Sequence, residues 1–168
     1  MARYILIGPM GVGKTTIGSS LAQRLSLEFN DSDHIIEERE GKSIGEIFIE
    51  DGEAAFRRVE EEVVLAAIEE PGVLALGGGA CLSPQAQEAI TASGAEVVFL
   101  DISLSEVSKR VGFDKARPLL AINPRSKWQE LMAARRPLYE KLATLRIVVD
   151  GKNKSEIVDE ILEKRKVS

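Results

Sequence analysis

A chain of 168 residues, 44% hydrophobic and 29% charged, has enough apolar material for one domain with its own core and needs no disulfide staple. Its 22 Lys and Arg against 27 Asp and Glu give a formal net charge of −5, which argues against a domain-wide basic field for nucleic acid. A single cysteine and a single histidine form neither an internal disulfide nor a zinc cluster, and without a signal-peptide pattern or a run of about 18 apolar residues the expected location is the cytoplasm.

Tyr4–Ile7 reads as a strand covered on both faces. It runs into Gly8-Pro9-Met10-Gly11-Val12-Gly13-Lys14-Thr15, which satisfies G-x-x-x-x-G-K-[ST], and then into an amphipathic helix, Lys14–Leu25. Such a loop turns successive backbone N–H groups toward one anion, and the helix N-terminus adds partial positive charge there. A lysine at Lys14 would reach the β- and γ-phosphates, and the Thr15 hydroxyl would face Mg²⁺. A glycine turn with an incidental Lys-Thr is the competing reading, but the strand and helix on either side favour a nucleoside triphosphate. The motif alone does not separate kinases from switches or transporters.

Leu27–Asn30 is a weaker strand candidate, followed by Asn30-Asp31-Ser32-Asp33 and a helix over His34–Glu40. At the carboxyl end of a strand, Asp31 and Asp33 can face a metal and an acceptor hydroxyl respectively, or both can be helix N-caps. His34 reads as a helix-surface residue. Ser43-Ile44-Gly45-Glu46 is a capping box. Glu53–Ile68 is a helix with Phe56, Val59, Val63, Val64 and Ala67 on one face. On it Arg57 and Arg58 can pair with Glu61 and Glu62, while Glu60 or Glu61 can orient Arg57.

Val73–Leu76 is the next strand, and Gly77-Gly78-Gly79 at its carboxyl end either admits a small ligand close to the backbone or forms a flexible turn. Cys81 reads as a small apolar filler. Ser83-Pro84 starts a helix, and Glu96–Leu100 is a further strand. Gly112–Arg125 is the least regular stretch, of the kind that forms lids. Ser126-Lys127-Trp128-Gln129 matches a capping box, with Trp128 as a packing residue, and Arg135 and Arg136 end that helix before Pro137. Arg146–Val149 is the last strand. Asn153-Lys154-Ser155-Glu156 reads as a helix start capped by Ser155 rather than a guanine motif, opening a helix to Lys166. Strands alternating with helices imply βαβ units, a parallel sheet and right-handed crossovers.

These residues together resemble the shikimate kinases along essentially the whole chain. The resemblance rests on Gly8–Thr15, Asp31-Ser32-Asp33, Gly52-Glu53 with Phe56-Arg57, Leu76-Gly77-Gly78-Gly79-Ala80, Arg117-Pro118-Leu119-Leu120, and Arg135 with Pro137-Leu138-Tyr139. It implies an α/β three-layer P-loop kinase fold of the nucleoside-monophosphate-kinase type, with a five-stranded parallel sheet in the order 2-3-1-4-5 flanked by helices. One domain would span 1–168, with a substrate-binding helical segment about 33–61 and a lid about 112–125.

The implied reaction moves the γ-phosphoryl of ATP to the 3-hydroxyl of shikimate, on the route to chorismate and the aromatic amino acids. By resemblance, Asp33 holds the acceptor hydroxyl and accepts its proton, Arg57 and Arg135 bind the shikimate carboxylate, and Gly78 and Gly79 offer backbone contacts. Gly11, Val12, Gly13, Lys14, Thr15 and Thr16 take the phosphates. Thr15 and Asp31, the latter through water, form the Mg²⁺ side. Arg117 is the lid arginine that closes on the phosphates, and Arg110 stacks on adenine. With Asp31 on the metal, Asp101 is left as a helix cap or loop acid despite its Walker B-like strand. In the doubled pairs Arg57-Arg58 and Arg135-Arg136 the family pattern favours the first member. The expected partners are ATP and shikimate, with no nucleic acid or membrane, and the expected state is a monomer. The alternatives are a kinase for another hydroxylated acid such as gluconate, and a non-catalytic nucleotide-binding module.

Overall fold

The computed structural model describes residues 1–111 and 123–167. In chain order the elements are β1 (Ala2–Ile7), α1 (Lys14–Leu25), β2 (Phe29–Asp31), α2 (Ser32–Glu40), α3 (Ile44–Asp51), α4 (Glu53–Glu69), β3 (Gly72–Ala75), α5 (Pro84–Ala92), β4 (Glu96–Asp101), α6 (Leu104–Val111), α7 (Pro124–Leu142), β5 (Leu145–Val148) and α8 (Lys154–Val167). A short 3₁₀ turn, Ala80–Leu82, links β3 to α5. The five strands form one sheet in the order β2-β3-β1-β4-β5, every pairing parallel, as the resemblance implies.

The apolar runs explain the order. Tyr4, Ile5, Leu6 and Ile7 on β1 and Val73 to Ala75 on β3 are all buried, as strands sandwiched between helices must be. β2 sits at an edge and is only half-buried, which is why its sequence signal is weak. Helix α1 packs on β3 and α8, while α4, α5 and α7 form a second set, so helices flank the sheet. The helical segment α2–α4 adds its own small core of Ile36, Ile47, Phe56 and Val63. That places an apolar-backed wall beyond the carboxyl ends of β2 and β3, where ligands bind in open α/β sheets.

Caps agree with the sequence at Ser43, whose side chain accepts from Glu46 N–H, and at Ser83, which accepts from Ala86 N–H ahead of Pro84. Three local expectations are corrected. Helix α7 starts at Pro124, so Ser126 lies inside its first turn and caps nothing. The same helix runs through Pro137 to Leu142 instead of ending at Arg136. Its buried stripe, Trp128, Met132, Arg135, Tyr139 and Leu142, continues past the proline, and that burial outweighs one lost backbone bond. At α8 the cap is Asn153, not Ser155: Asn153 Oδ1 accepts from Glu156 N–H, and Glu156 Oε1 accepts from Asn153 N–H.

Asp101 is also corrected. It is neither a helix cap nor a loop acid but the 4%-exposed end of β4, joined to Arg136 at 2.8 and 2.9 Å and to Arg146 at 2.7 and 3.0 Å. Burial pushes its carboxyl up, and the hydrogen bonds from Arg136 and Arg146 outweigh that and hold it below the usual carboxylate range. A carboxyl depressed in the folded state stabilises the fold above its unfolded pKa, and that contribution is lost as pH falls through the folded value. Asp101→Asn should therefore lose about 1–3 kcal/mol at neutral pH. Urea unfolding at pH 7 and below about pH 4 checks it: the deficit should shrink in acid, and an equal deficit at both would contradict the account.

Candidate active site

The P-loop joins β1 to α1 at the carboxyl edge of the sheet. Gly13 precedes α1 with φ 95°, a left-handed conformation that suits glycine. A Cβ at Gly8 would lie 2.5 Å from the Leu100 carbonyl oxygen, so the loop's first glycine is required by its contact with β4. Lys14 Nζ bends back over the loop and donates to the Gly8 and Pro9 carbonyls, each at 2.8 Å. The Thr15 hydroxyl donates to Asp31 Oδ2. The other oxygen, Oδ1, accepts from the backbone N–H of Asp33 at 2.9 Å and of His34 at 3.3 Å. Asp31 thus caps α2 with one oxygen and accepts from the P-loop threonine with the other. Asp33 is not a cap; it stands in the first turn of α2.

Two cavities meet here. The first, about 410 Å³, is walled by Ile44, Phe48 and Phe56 on its apolar side and by Arg57, Glu60, Arg135, Gly78 and Gly79 on its polar side. The second, about 500 Å³, is lined by Gly11, Gly13, Lys14, Thr15, Thr16 and Arg110. Met10, Thr15, Asp31, Asp33 and Gly78 belong to both walls. Val12 is the exception among the expected phosphate contacts Gly11 to Thr16: its side chain is fully buried in the core and lines neither cavity. Arg110 is held by Glu106 at 3.2 Å and by the carbonyls of Val149 and Lys152 at 3.1 and 3.3 Å. Arg117 and most of the expected lid, residues 112–122, lie outside the described residues.

The triple glycine has a specific steric reason. A Cβ at Gly77 would sit 2.5 Å from Asp33 Oδ1, one at Gly78 would sit 3.3 Å from Arg135 Nη1, and one at Gly79 would sit 2.4 Å from Arg57 Nη1. Three polar side chains from α2, α7 and α4 therefore lie directly over three consecutive α-carbons. That is a built floor, not a flexible turn.

The doubled arginines separate cleanly. Arg135 is 7% exposed and lines the first cavity, while Arg136 turns to Asp101. Arg57 lines the first cavity and Arg58 does not. The expected pairs of Arg57 with Glu61 and Arg58 with Glu62 are not formed. Arg57 bonds Glu60 at 2.7 Å, Glu61 takes the Ser83 hydroxyl, and Glu62 takes Arg39 at 2.6 Å, because neighbouring elements reach those carboxylates first. Burial raises the Glu60 carboxyl above its ordinary range against the pull of Arg57, and nearby Asp33 adds to the rise. Cys81 is buried and its thiol is pushed up to about 12 by that burial, which suits an inert filler. His34 is exposed on α2 beside Glu38, and the Trp128 indole donates to the Met10 carbonyl at 2.9 Å, tying α7 to the P-loop.

A family model described as shikimate kinase matches residues 10–166. The chain belongs to the shikimate kinase family. It is 48% identical over 160 residues to a shikimate kinase of Streptomyces coelicolor, spanning 95% of this chain and 92% of that one. A shikimate kinase of Rhodococcus jostii is 47% identical over 164 residues, 96% of each chain. Among solved structures, a shikimate kinase from Acinetobacter baumannii in complex with shikimate superposes with a TM-score of 0.92 at 37% identity, over 98% of this chain and 92% of that one. Membership makes this chain an ATP-dependent kinase and sets aside the non-catalytic nucleotide-binding module.

Some of what shapes the site has no sequence signal. Phe48 and Ile44 give no sign that they face a ligand cavity, and Ser32, whose Oγ accepts from Gly77 N–H at 3.0 Å, looks like an ordinary residue between two acids. Tyr139 appears in a motif with no role attached.

Proposed function

We propose that this chain phosphorylates the 3-hydroxyl of shikimate with ATP, with the second cavity as the nucleotide side and the first as the acid side. The observation that carries the assignment is that, of the two cavities, Arg57 and Arg135 line only the first and Lys14 with Gly11 and Gly13 only the second, while Asp33 stands in the wall of both. A group at that junction can hold an acceptor hydroxyl facing a γ-phosphate. Arg57 and Arg135 are the carboxylate binders, since a compact anion calls for guanidinium forks. Glu60 is the partner that aims Arg57.

Phosphoryl transfer needs alignment and charge neutralisation more than covalent help. Lys14 and Thr15 would meet the phosphates, Arg110 the base, and Arg117 in the lid would close over the triphosphate and keep water out. Thr15 and Asp31, whose side chains meet at the loop, would supply hard oxygen donors for Mg²⁺, Asp31 through water. Mg²⁺ commonly keeps several waters and is held by one or two protein groups plus substrate phosphates, so the ion would arrive on the nucleotide. Bound there, it would neutralise phosphate charge.

No helix among the described residues is long and apolar enough to cross a membrane. We place the enzyme in the cytoplasm as a monomer, a single domain with α2–α4 as its substrate-binding segment. ADP release measured with shikimate and with gluconate as acceptors tests the proposal. Turnover should be confined to shikimate; activity on gluconate alone would refute the acceptor.

A further inference from the structure

Tyr139 stands one helical turn beyond Arg135 on α7 and is 1% exposed. Its hydroxyl donates to the Gly78 carbonyl at 2.5 Å, and the Arg135 guanidinium lies against the same glycine, 3.3 Å from where a Gly78 Cβ would stand. The phenol therefore grips the Gly78 wall of the first cavity, against which Arg135 lies, without lining that cavity. Its ring is fixed against Phe99 of β4 at 5.2 Å, and Phe99 lies in turn under Arg136 at 5.8 Å. Burial lifts the phenol well above its ordinary range, so it remains a neutral donor across the working pH.

We propose that Tyr139 is a positioning residue for the acid side of the site: its hydroxyl sets the spacing between the Gly78 backbone and the Arg135 guanidinium, and so the fit of a carboxylate between them. This rests on the reading of the first cavity as the acid side. The glycine run has no strand ladder of its own beyond β3. It is held at the Gly77 N–H by Ser32 and at the Gly78 carbonyl by Tyr139. Without the hydroxyl, a part-buried carbonyl loses its partner, and the wall against which Arg135 lies loses a fixed point. The consequence falls on binding of the acid. Asp33 and Lys14 stand on α2 and α1, which Tyr139 does not touch through these bonds.

Tyr139→Phe keeps the ring against Phe99 and removes only the oxygen. The KM for shikimate should rise about tenfold, with kcat at saturation and the KM for ATP at wild-type values. In the double variant Arg135→Ala with Tyr139→Phe, the loss in kcat/KM should be smaller than the product of the single losses, because the hydroxyl acts in part through the guanidinium. An unchanged KM for shikimate would overturn the proposal. So would KM values for both substrates rising together with a fall in Tm, or losses that multiply. If Arg135→Ala leaves the KM for shikimate unchanged, the acid-side reading fails and this proposal with it. If Arg135→Ala raises that KM and Tyr139→Phe does not, only the role of Tyr139 fails.

Discussion

Asp33→Asn is expected to lower kcat by about 10²–10⁴-fold, the range a positioned general base contributes, while ATP binds as in the wild type. Asp33, like Asp31, lines both cavities, and it lies over the α-carbon of Gly77, which leaves it little freedom to move. Its neighbour Asp31 is committed to the α2 cap and to Thr15, so it cannot substitute. Asparagine keeps the shape and loses the charge. The check is kcat under saturation with both substrates, beside an ATP titration. Loss of ATP affinity in parallel with turnover would move Asp33 from the acceptor to the nucleotide.

Arg135→Ala is the second large effect. Truncating one partner of a buried, charge-assisted pair costs about 2–5 kcal/mol, or roughly 30- to 3,000-fold in kcat/KM for shikimate. The KM for ATP should not change. Arg136→Ala is the matched control. Its guanidinium belongs to Asp101, so stability should fall while the KM for shikimate stays put. Steady-state kinetics on both variants and thermal melts separate the two. An effect of Arg136→Ala on the KM for shikimate equal to that of Arg135→Ala would dissolve the distinction between the pair.

That distinction marks where the sequence stops being informative. Adjacent residues on a helix point about 100° apart, at 3.6 residues per turn. Nothing local says which of Arg135 and Arg136 faces the cavity; the answer comes from Asp101 on β4, 35 positions before Arg136, which claims the second. The P-loop was legible because it is a local backbone device, with its glycines, lysine and threonine contiguous between a strand and a helix. The inner strands were legible because burial on both faces writes a continuous apolar run. Edge strand β2 wrote a fainter one.

Pro137 shows a local rule overruled by packing. A proline normally ends a helix, yet a buried stripe from Trp128 to Leu142 carries α7 past it. That continuation matters to the site, because it places Tyr139 on the same face as Arg135. The glycine run was visible as a place of close approach, but not what approaches it. Asp33, Arg135 and Arg57 come from three helices, and only the tertiary structure lays one over each glycine. The network of Glu60 with Arg57 was half-legible: the spacing allowed it, and Ser83 and Arg39 take up Glu61 and Glu62 from neighbouring elements.

A crystal structure with shikimate and a non-hydrolysable ATP analogue bound together is the most direct measurement. The account predicts the ring in the cavity beside Phe48 and Phe56, its carboxylate between the guanidinium groups of Arg57 and Arg135. One hydroxyl should lie about 2.6–3.2 Å from Asp33 and face the terminal phosphate held by the P-loop. Shikimate bound elsewhere, or with those two guanidinium groups turned away from its carboxylate, would contradict it.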